Sequence, residues 1–224
     1  MLSLADAIEA LKGSRPNWKS KIITNASVDS RDVIPGSLFV ALPGERVDGH
    51  DYVDEAISRG ACYALVQHEI PGEYRTLDLR GGSFPTEDPG KELPVILLVE
   101  DSLQALQQIA KFWRSKLNLR VIGITGSVGK STTKEMVASV LEQRYSTLKN
   151  LGNLNNEIGL PLTILSLSTG HQKTVLEMGF YVPGEIKFLC DIAKPHVGVI
   201  TNIGTVHAER AGTIEAIALS LIHI

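Results

Sequence analysis

The sequence predicts an α/β protein, with a small N-terminal α/β domain followed by a P-loop-type domain on a parallel sheet. Three observations lead there. The short apolar run Val121–Ile124 reads as a buried strand and ends in Thr125-Gly126-Ser127-Val128-Gly129-Lys130-Ser131. From Leu119 onward, apolar runs alternate with helical patterns, as parallel sheets require. Before that, a first set of strands and helices is interrupted by a polar excursion rich in Gly and Pro. The expected division is residues 1–100, a linker helix over 101–118, and a second domain over 119–224.

Ser3 to Leu11 reads as the first helix. Ser3 caps it, Asp6 takes the capping-box position and Gly13 ends it, with Leu4, Ala7, Ile8 and Leu11 inward. Lys21 to Ile23 is a short strand candidate. Asp29-Ser30-Arg31 forms a polar cluster, either a solvated Asx-type turn or a hydroxyl and guanidinium offered to a substrate. Pro35-Gly36 turns into a strand over Leu38 to Leu42. A turn-rich loop carrying His50, expected to be solvated, opens a helix from Tyr52 to Arg59. Cys62 to Gln67 is the next strand. Pro71 to Pro94 reads as a surface excursion without chemistry. Val95 to Val99 is a strand, and Leu103 to Lys116 a helix with Leu106, Ile109, Ala110 and Trp113 inward.

In the second domain the strands are expected at 119–125, 145–148, 174–178 and 197–201. The helices are expected at 131–144, at 157–165 with an interruption at Pro161, and at 185–193. Met136, Val137, Val140 and Leu141 fall at helical spacing. Thr125-Gly126, Asn150, Glu177 and Thr201-Asn202 all fall where strands end. Open α/β sheets bind ligands at those carboxyl ends, so four stretches converge on one place.

The turn at 125–131 has the chemistry of a phosphate grip. Gly126 and Gly129 let the backbone turn sharply and approach an anion. Amides at the helix start, from Gly126, Ser127, Val128, Gly129, Lys130, Ser131 and Thr132, point at phosphate oxygens, aided by the helix dipole. Lys130 reaches terminal phosphates and the Ser131 hydroxyl is placed for Mg2+. The longer P-loop formula would need a glycine at Ile124, so the shorter Gly-x-x-Gly-Lys-Ser form stands here. Glu177, at a strand end, is a candidate Mg2+ ligand, and His207, on the next loop, a candidate second metal ligand. Asn150, Asn153, Asn155 and Asn156 crowd one segment, and their amides suit phosphate, metal-bound water or substrate.

Bulk properties set limits. The 224 residues suffice for one large or two small domains. Hydrophobic content of 43% and charged content of 21% suit a globular chain. A net charge of −3 offers no reason to invoke nucleic acid or an anionic membrane. Cys62 and Cys190 are expected as buried thiols in a reducing cytoplasm. No run is apolar enough to span a bilayer.

With these residues assembled, the chain resembles the Mur ligases of bacterial peptidoglycan synthesis. The motifs are Thr-Gly-Ser-Val-Gly-Lys-Ser-Thr (125–132), Gly-Asn-Leu-Asn-Asn-Glu-Ile-Gly-Leu-Pro (152–161), Leu-Glu-Met-Gly (176–179) and Thr-Asn-Ile-Gly-Thr-Val-His (201–207). The asparagine-rich segment and Glu-Met-Gly are most similar to the member that joins D-Ala-D-Ala to UDP-MurNAc-tripeptide. Asp-Ser-Arg (29–31) and 38–44 resemble that family's UDP-sugar-binding domain. The resemblance implies ATP and Mg2+ as cofactors, an acyl phosphate intermediate, a bacterial cytoplasmic monomer, and no nucleic-acid or membrane partner. It assigns Lys130 and His207 to catalysis, and Gly126 to Thr132 with Asn153 to the nucleotide. Ser30, Arg31, Asn155 and Asn156 fall to the substrates, and Ser131, Glu177 and His207 to metal.

Two departures stand out. The family's metal-supporting lysine has no counterpart, because no lysine follows Lys194, and Leu219–Ile224 does not resemble the family. By the same resemblance, the rest of the central ATPase domain and the ligase domain after it are expected to be missing, and the second domain to be incomplete. The chain is therefore expected to be a truncated product, poorly soluble and incompetent as a ligase by itself. Alternatives are a family member adding a single amino acid, a non-catalytic nucleotide- or UDP-sugar-binding fragment, and a P-loop kinase. Acceptor choice, ATP binding without turnover, and a stable phosphorylated product would separate these.

Overall fold

The computed structural model describes residues 1–18, 20–44, 47–81, 94–204 and 213–224. They divide into two compact units, Met1–Trp113 and Arg114–Ile224. Each unit holds one wholly parallel sheet, giving the mixed α/β fold that the alternation of elements predicts.

The first unit opens with α1 (Leu4–Lys12). Ser3 and Asp6 close a full capping box, and Gly13 ends the helix in the left-handed region at φ 72°. Its sheet contains β1 (Ala26–Ser27), β2 (Leu38–Val40), β3 (Tyr63–Val66), β4 (Arg75–Asp78) and β5 (Val95–Leu98), in the order β1-β2-β3-β5-β4. Phe39, Ala64, Val66, Ile96 and Leu98 pack against Val53 and Ala56 of α2 (Val53–Ser58). The chain then enters α3 (Ser102–Lys116).

Several expectations for this unit change. Lys21–Ile23 is not a strand; Ile22 makes only an isolated antiparallel bridge with Ser3. The excursion contains β4, an edge strand whose single buried residue is Leu77, so it carried almost no apolar signal. His50 is buried instead of solvated. Its Nδ1 lies 2.5 Å from Asp48 Oδ1, and its Nε2 accepts the Gln67 amide at 2.9 Å. His68 completes a group within metal-ligating reach, but both His50 nitrogens are already committed to pinning the loop. Cys62 and Cys190 are half-buried free thiols. Burial pushes the Cys190 thiol up to about 11, so it is a poor nucleophile.

The second unit holds β6 (Arg120–Thr125), α4 (Lys130–Glu142), β7 (Thr147–Lys149), α5 (Gly159–Leu165), β8 (Lys173–Glu177), α6 (Glu185–Ala193), β9 (Val197–Ile200) and α7 (Ile214–Leu221). The strand order is β7-β8-β6-β9. The chain lays down β7 and β8 on one side of β6 and then crosses to the other for β9. That reversal opens a crevice at the carboxyl end of β6. Ile124, Ala138 and Val175 form a small core there.

Pro161 does not interrupt α5. It is the third helical residue, in the first turn, where its missing N–H has no intrahelical acceptor to lose. The inward side of α4 is half the one expected: Val137 and Leu141 pack on the core, but Met136 and Val140 do not. Met136 and Val140 are 66% and 73% exposed, whereas Lys134, Val137 and Ala138 face the sheet. At the chain's end, Ile224 packs over Gly123 and Gly198; its Cδ1 lies 3.2 Å from where a Gly123 Cβ would stand. Among the described residues, no helix is long and apolar enough to cross a membrane.

Candidate active site

The strand β6 hands the chain directly into the glycine turn. Gly126 has φ +135°, and a Cβ there would sit 2.1 Å from Thr201 Oγ1, so both conformation and space demand glycine. Gly129, at φ +85°, is the N-cap of α4. The segment after β9 clamps the turn. Ser127 N–H donates to Asn202 O at 3.1 Å, and Val128 N–H to Asn202 Oδ1 at 2.8 Å. Thr201 Oγ1 donates to Val128 O at 2.6 Å, and Gly204 N–H to Ser127 Oγ at 2.8 Å.

This clamp changes which amides face a ligand. Those of Ser127 and Val128 are spent on Asn202. The first intrahelical bond of α4 runs from Thr133 N–H to Gly129 O, which leaves the amides of Lys130, Ser131 and Thr132 ahead of it. Such a first turn attracts anions through both its amides and the helix dipole. Lys130 Nζ bends back to donate to Gly126 O at 2.8 Å, which places its charge on the loop. Ser131 and Thr132 are exposed on the same turn.

Glu177 ends β8, beside that turn in the sheet: Ile124 is its register partner, and Thr125 Oγ1 donates to Met178 O. Its carboxylate is 3% exposed as a residue, yet Oε2 has no hydrogen-bond partner among the described residues. Asn155 Nδ2 donates to Oε1 at 2.8 Å. Fully buried Asn150 holds the backbone on both sides. Its Oδ1 accepts Glu177 N–H at 2.9 Å, while its Nδ2 donates to Glu177 O and Leu154 O at 3.1 and 2.8 Å. A buried, oriented carboxylate with one unpartnered oxygen fits a hard divalent cation beside phosphates.

The other expected site residues divide. Asn156 turns its Oδ1 onto the amides of Ile158 and Gly159 at the start of α5, a structural task. Asn153 is exposed on the preceding loop, and its carbonyl accepts Asn155 N–H. His207 lies outside the described residues. Sequence reasoning missed Lys134, which joins this network from α4, donating to Asn150 O at 2.8 Å. A lysine in a helix reads as solvated, and no local pattern marks this one.

The first unit carries a separate cleft of about 600 Å³ lined by Asp29, Ser30, Arg31, Tyr52, Glu55 and Arg59. Glu55, from α2, organises it: Oε2 accepts Ser30 Oγ at 2.9 Å and Oε1 accepts Arg59 Nε at 3.0 Å. Ser30 is thus buried and engaged, and Glu55 and Arg59 are site residues that the sequence reading did not name. Arg31 is exposed and forks onto Asp29, whose Oδ1 also accepts Arg31 N–H in an Asx turn. The Arg31 guanidinium holds the Asp29 carboxyl down at about 2, below its usual 3.8.

Because that folded value is below the unfolded one, the pair's contribution is present above about pH 4 and fades as pH falls toward 2. Its size is small, since Arg31 is solvent-screened. Carboxyl-resolved NMR titration of an Arg31→Ala variant is expected to move the Asp29 midpoint up toward 3.8. An unmoved midpoint would assign the depression to another cause.

The family model described as "Mur ligase family, catalytic domain" matches residues 22–114, and the one described as "Mur ligase middle domain" matches residues 124–224. The chain is 41% identical over 196 residues to the UDP-N-acetylmuramoyl-tripeptide--D-alanyl-D-alanine ligase of Synechocystis, covering 88% of this chain and 39% of the relative. It is 39% identical over 218 residues to the Bacillus subtilis enzyme of the same name, covering 96% and 44%. Crystal structure I of MurF from Acinetobacter baumannii superposes with a TM-score of 0.77 at 33% identity, over 98% of this chain and 45% of that one. Thermotoga maritima MurF in complex with ADP gives 0.71 at 36%, over 89% and 42%. The chain thus spans less than half the length of these relatives. Two successive models of one family together match most of the chain, one in each unit, and the chain belongs to the Mur ligase family.

Proposed function

We propose that the chain carries the UDP-sugar-binding and nucleotide-binding domains of an ATP-dependent amide ligase of peptidoglycan precursor synthesis. The ligase joins D-Ala-D-Ala to UDP-MurNAc-tripeptide. The first unit takes the UDP-sugar in the Ser30–Arg31 cleft, and the second takes ATP. The observation that carries the reading is the glycine turn leading into α4 beside a clamped, buried Glu177 with one unpartnered oxygen. The names of the relatives supply the substrates.

In this reading the first-turn amides of α4 and the Lys130 ammonium hold the nucleotide's terminal phosphates and offset charge that develops during transfer. Ser131 and Glu177 would hold Mg2+, with Asn155 orienting the carboxylate, and His207 would serve a second metal. Bound Mg2+ would screen the phosphate oxygens and polarise the transferred group. The acceptor's terminal carboxylate oxygen attacks the γ-phosphorus and ADP departs. The D-Ala-D-Ala amine then attacks the acyl carbon, losing a proton, and inorganic phosphate leaves as the amide forms. Asn153 serves the nucleotide, Asn155 acts through Glu177, and Asn156, expected on the substrate side, instead caps the start of α5.

Calorimetric titration with ADP tests the nucleotide site. The chain is expected to bind ADP more tightly with Mg2+ than without it. Lys130→Ala is expected to weaken binding by at least about tenfold, as loss of a charge-assisted contact does. Equal ADP affinity in wild type and Lys130→Ala would overturn the assignment.

A further inference from the structure

Lys134 lies beside the Glu177 carboxylate, buried on the sheet side of α4 and only 2% exposed. Its Nζ donates to Asn150 O at 2.8 Å and lies 3.3 Å from Glu135 Oε1 and 4.0 Å from Glu177 Oε2. The last distance is within ion-pair range but beyond hydrogen-bond reach. Glu177 Oε2 therefore feels the ammonium without being occupied by it, and it stays unpartnered.

We propose that Lys134 is a built-in counter-cation for Glu177, one that makes divalent-cation binding conditional on nucleotide. The inference rests on the nucleotide-site reading above. A carboxylate this buried needs a cation nearby, because an isolated charge away from water is costly. Lys134 supplies that charge from 4.0 Å, close enough to be felt at Oε2 but beyond hydrogen-bond reach. A divalent cation arriving at Oε2 meets the ammonium's repulsion at short range, so the bare cation binds weakly. Nucleotide phosphates at the neighbouring turn bring several negative charges and reverse the balance.

The geometry also lets the lysine stay in place when the cation arrives. Its hydrogen bond goes to a backbone carbonyl, and its second carboxylate neighbour, Glu135, is half exposed and already paired with Lys149 at 2.5 Å. The ammonium keeps two other partners whatever happens at Glu177. Lys134 is thus a positioning residue that acts through Glu177 and touches neither substrate nor nucleotide.

The test is a Mn2+ titration of the 224-residue chain followed by electron paramagnetic resonance, with and without saturating ADP. Without nucleotide, Lys134→Met is expected to bind Mn2+ at least about tenfold more tightly than wild type, because short-range repulsion has been removed. With ADP bound, the difference is expected to shrink to about threefold or less, since the phosphates then dominate the local charge. Lys134→Gln, which keeps a donor toward Asn150 O, is expected to shift in the same direction. Adding Glu177→Gln is expected to abolish the gain.

A purely structural lysine predicts the opposite sign, because a loosened site binds the ion less well. Unchanged or weaker Mn2+ binding in both variants would overturn the proposal, as would a gain that survives Glu177→Gln. ADP binding by wild type is read in separate titrations. Its absence would refute the nucleotide site, while the nucleotide-free Mn2+ comparison would still decide the role of Lys134.

Discussion

Gly126→Ala is expected to destabilise the second unit by about 2–5 kcal/mol, summing a strained backbone and an overpacked contact. At φ +135° no L side chain is comfortable, and the new methyl would meet Thr201 Oγ1 at 2.1 Å and backbone atoms of Thr201 and Asn202 at 3.0 Å. The backbone atoms belong to the segment that clamps the turn, so relief would require the clamp to open. Gly184→Ala provides the control, with φ +97° and nothing within 4 Å of the added carbon. It is expected to cost only the conformational part, about 1–2 kcal/mol. Urea unfolding of the two variants measures the difference. If Gly126→Ala proves no worse than Gly184→Ala, the close approach of the two segments is not what fixes the turn.

Asn150→Ala is expected to cost about 2–4 kcal/mol, because truncation leaves several buried backbone groups unpaired at once. Glu177 N–H, Glu177 O and Leu154 O all lose their partner inside the unit. The same change should loosen Glu177 and weaken Mn2+ binding in the ADP complex by about tenfold, the usual scale for losing an outer-shell partner. Asn150→Asp separates the two halves of the clamp. A carboxylate can still accept Glu177 N–H, but it cannot donate to either carbonyl and adds a charge near Glu177. It is expected to be at least as destabilising as alanine. A loss under about 1 kcal/mol in both variants, within the range of one ordinary hydrogen bond, would show that Asn150 does not hold the strand end.

The two predictions differ in how far the sequence itself pointed to them. Gly126 stood out because its turn lies between an apolar strand and a helix, where a glycine has an evident task. The choice among Asn150, Asn153, Asn155 and Asn156 was not legible. All four suit a loop, and what distinguishes Asn150 is full burial beside a strand from elsewhere in the chain. Asn156 fell to helix capping for an equally local reason, the amides of Ile158 and Gly159.

Features local in the chain could be read from residue order. These are the Ser3–Asp6 capping box, the apolar strands, the glycine turn before α4, and the meeting of polar groups at strand ends. Each depends on neighbours within a few residues or on the repeating rule of parallel sheets. Long-range packing set the rest. It turned Lys134 inward and Met136 outward on one helix, buried His50 beneath Gln67 N–H, and made β4 an edge strand. It also turned the Ser127 and Val128 amides toward Asn202. In most of these cases the deciding partner is distant in sequence, such as Asn150 O for Lys134 and Asn202 for the turn. A buried charge or amide goes where a partner is found, and only the packed sheet brings that partner within reach.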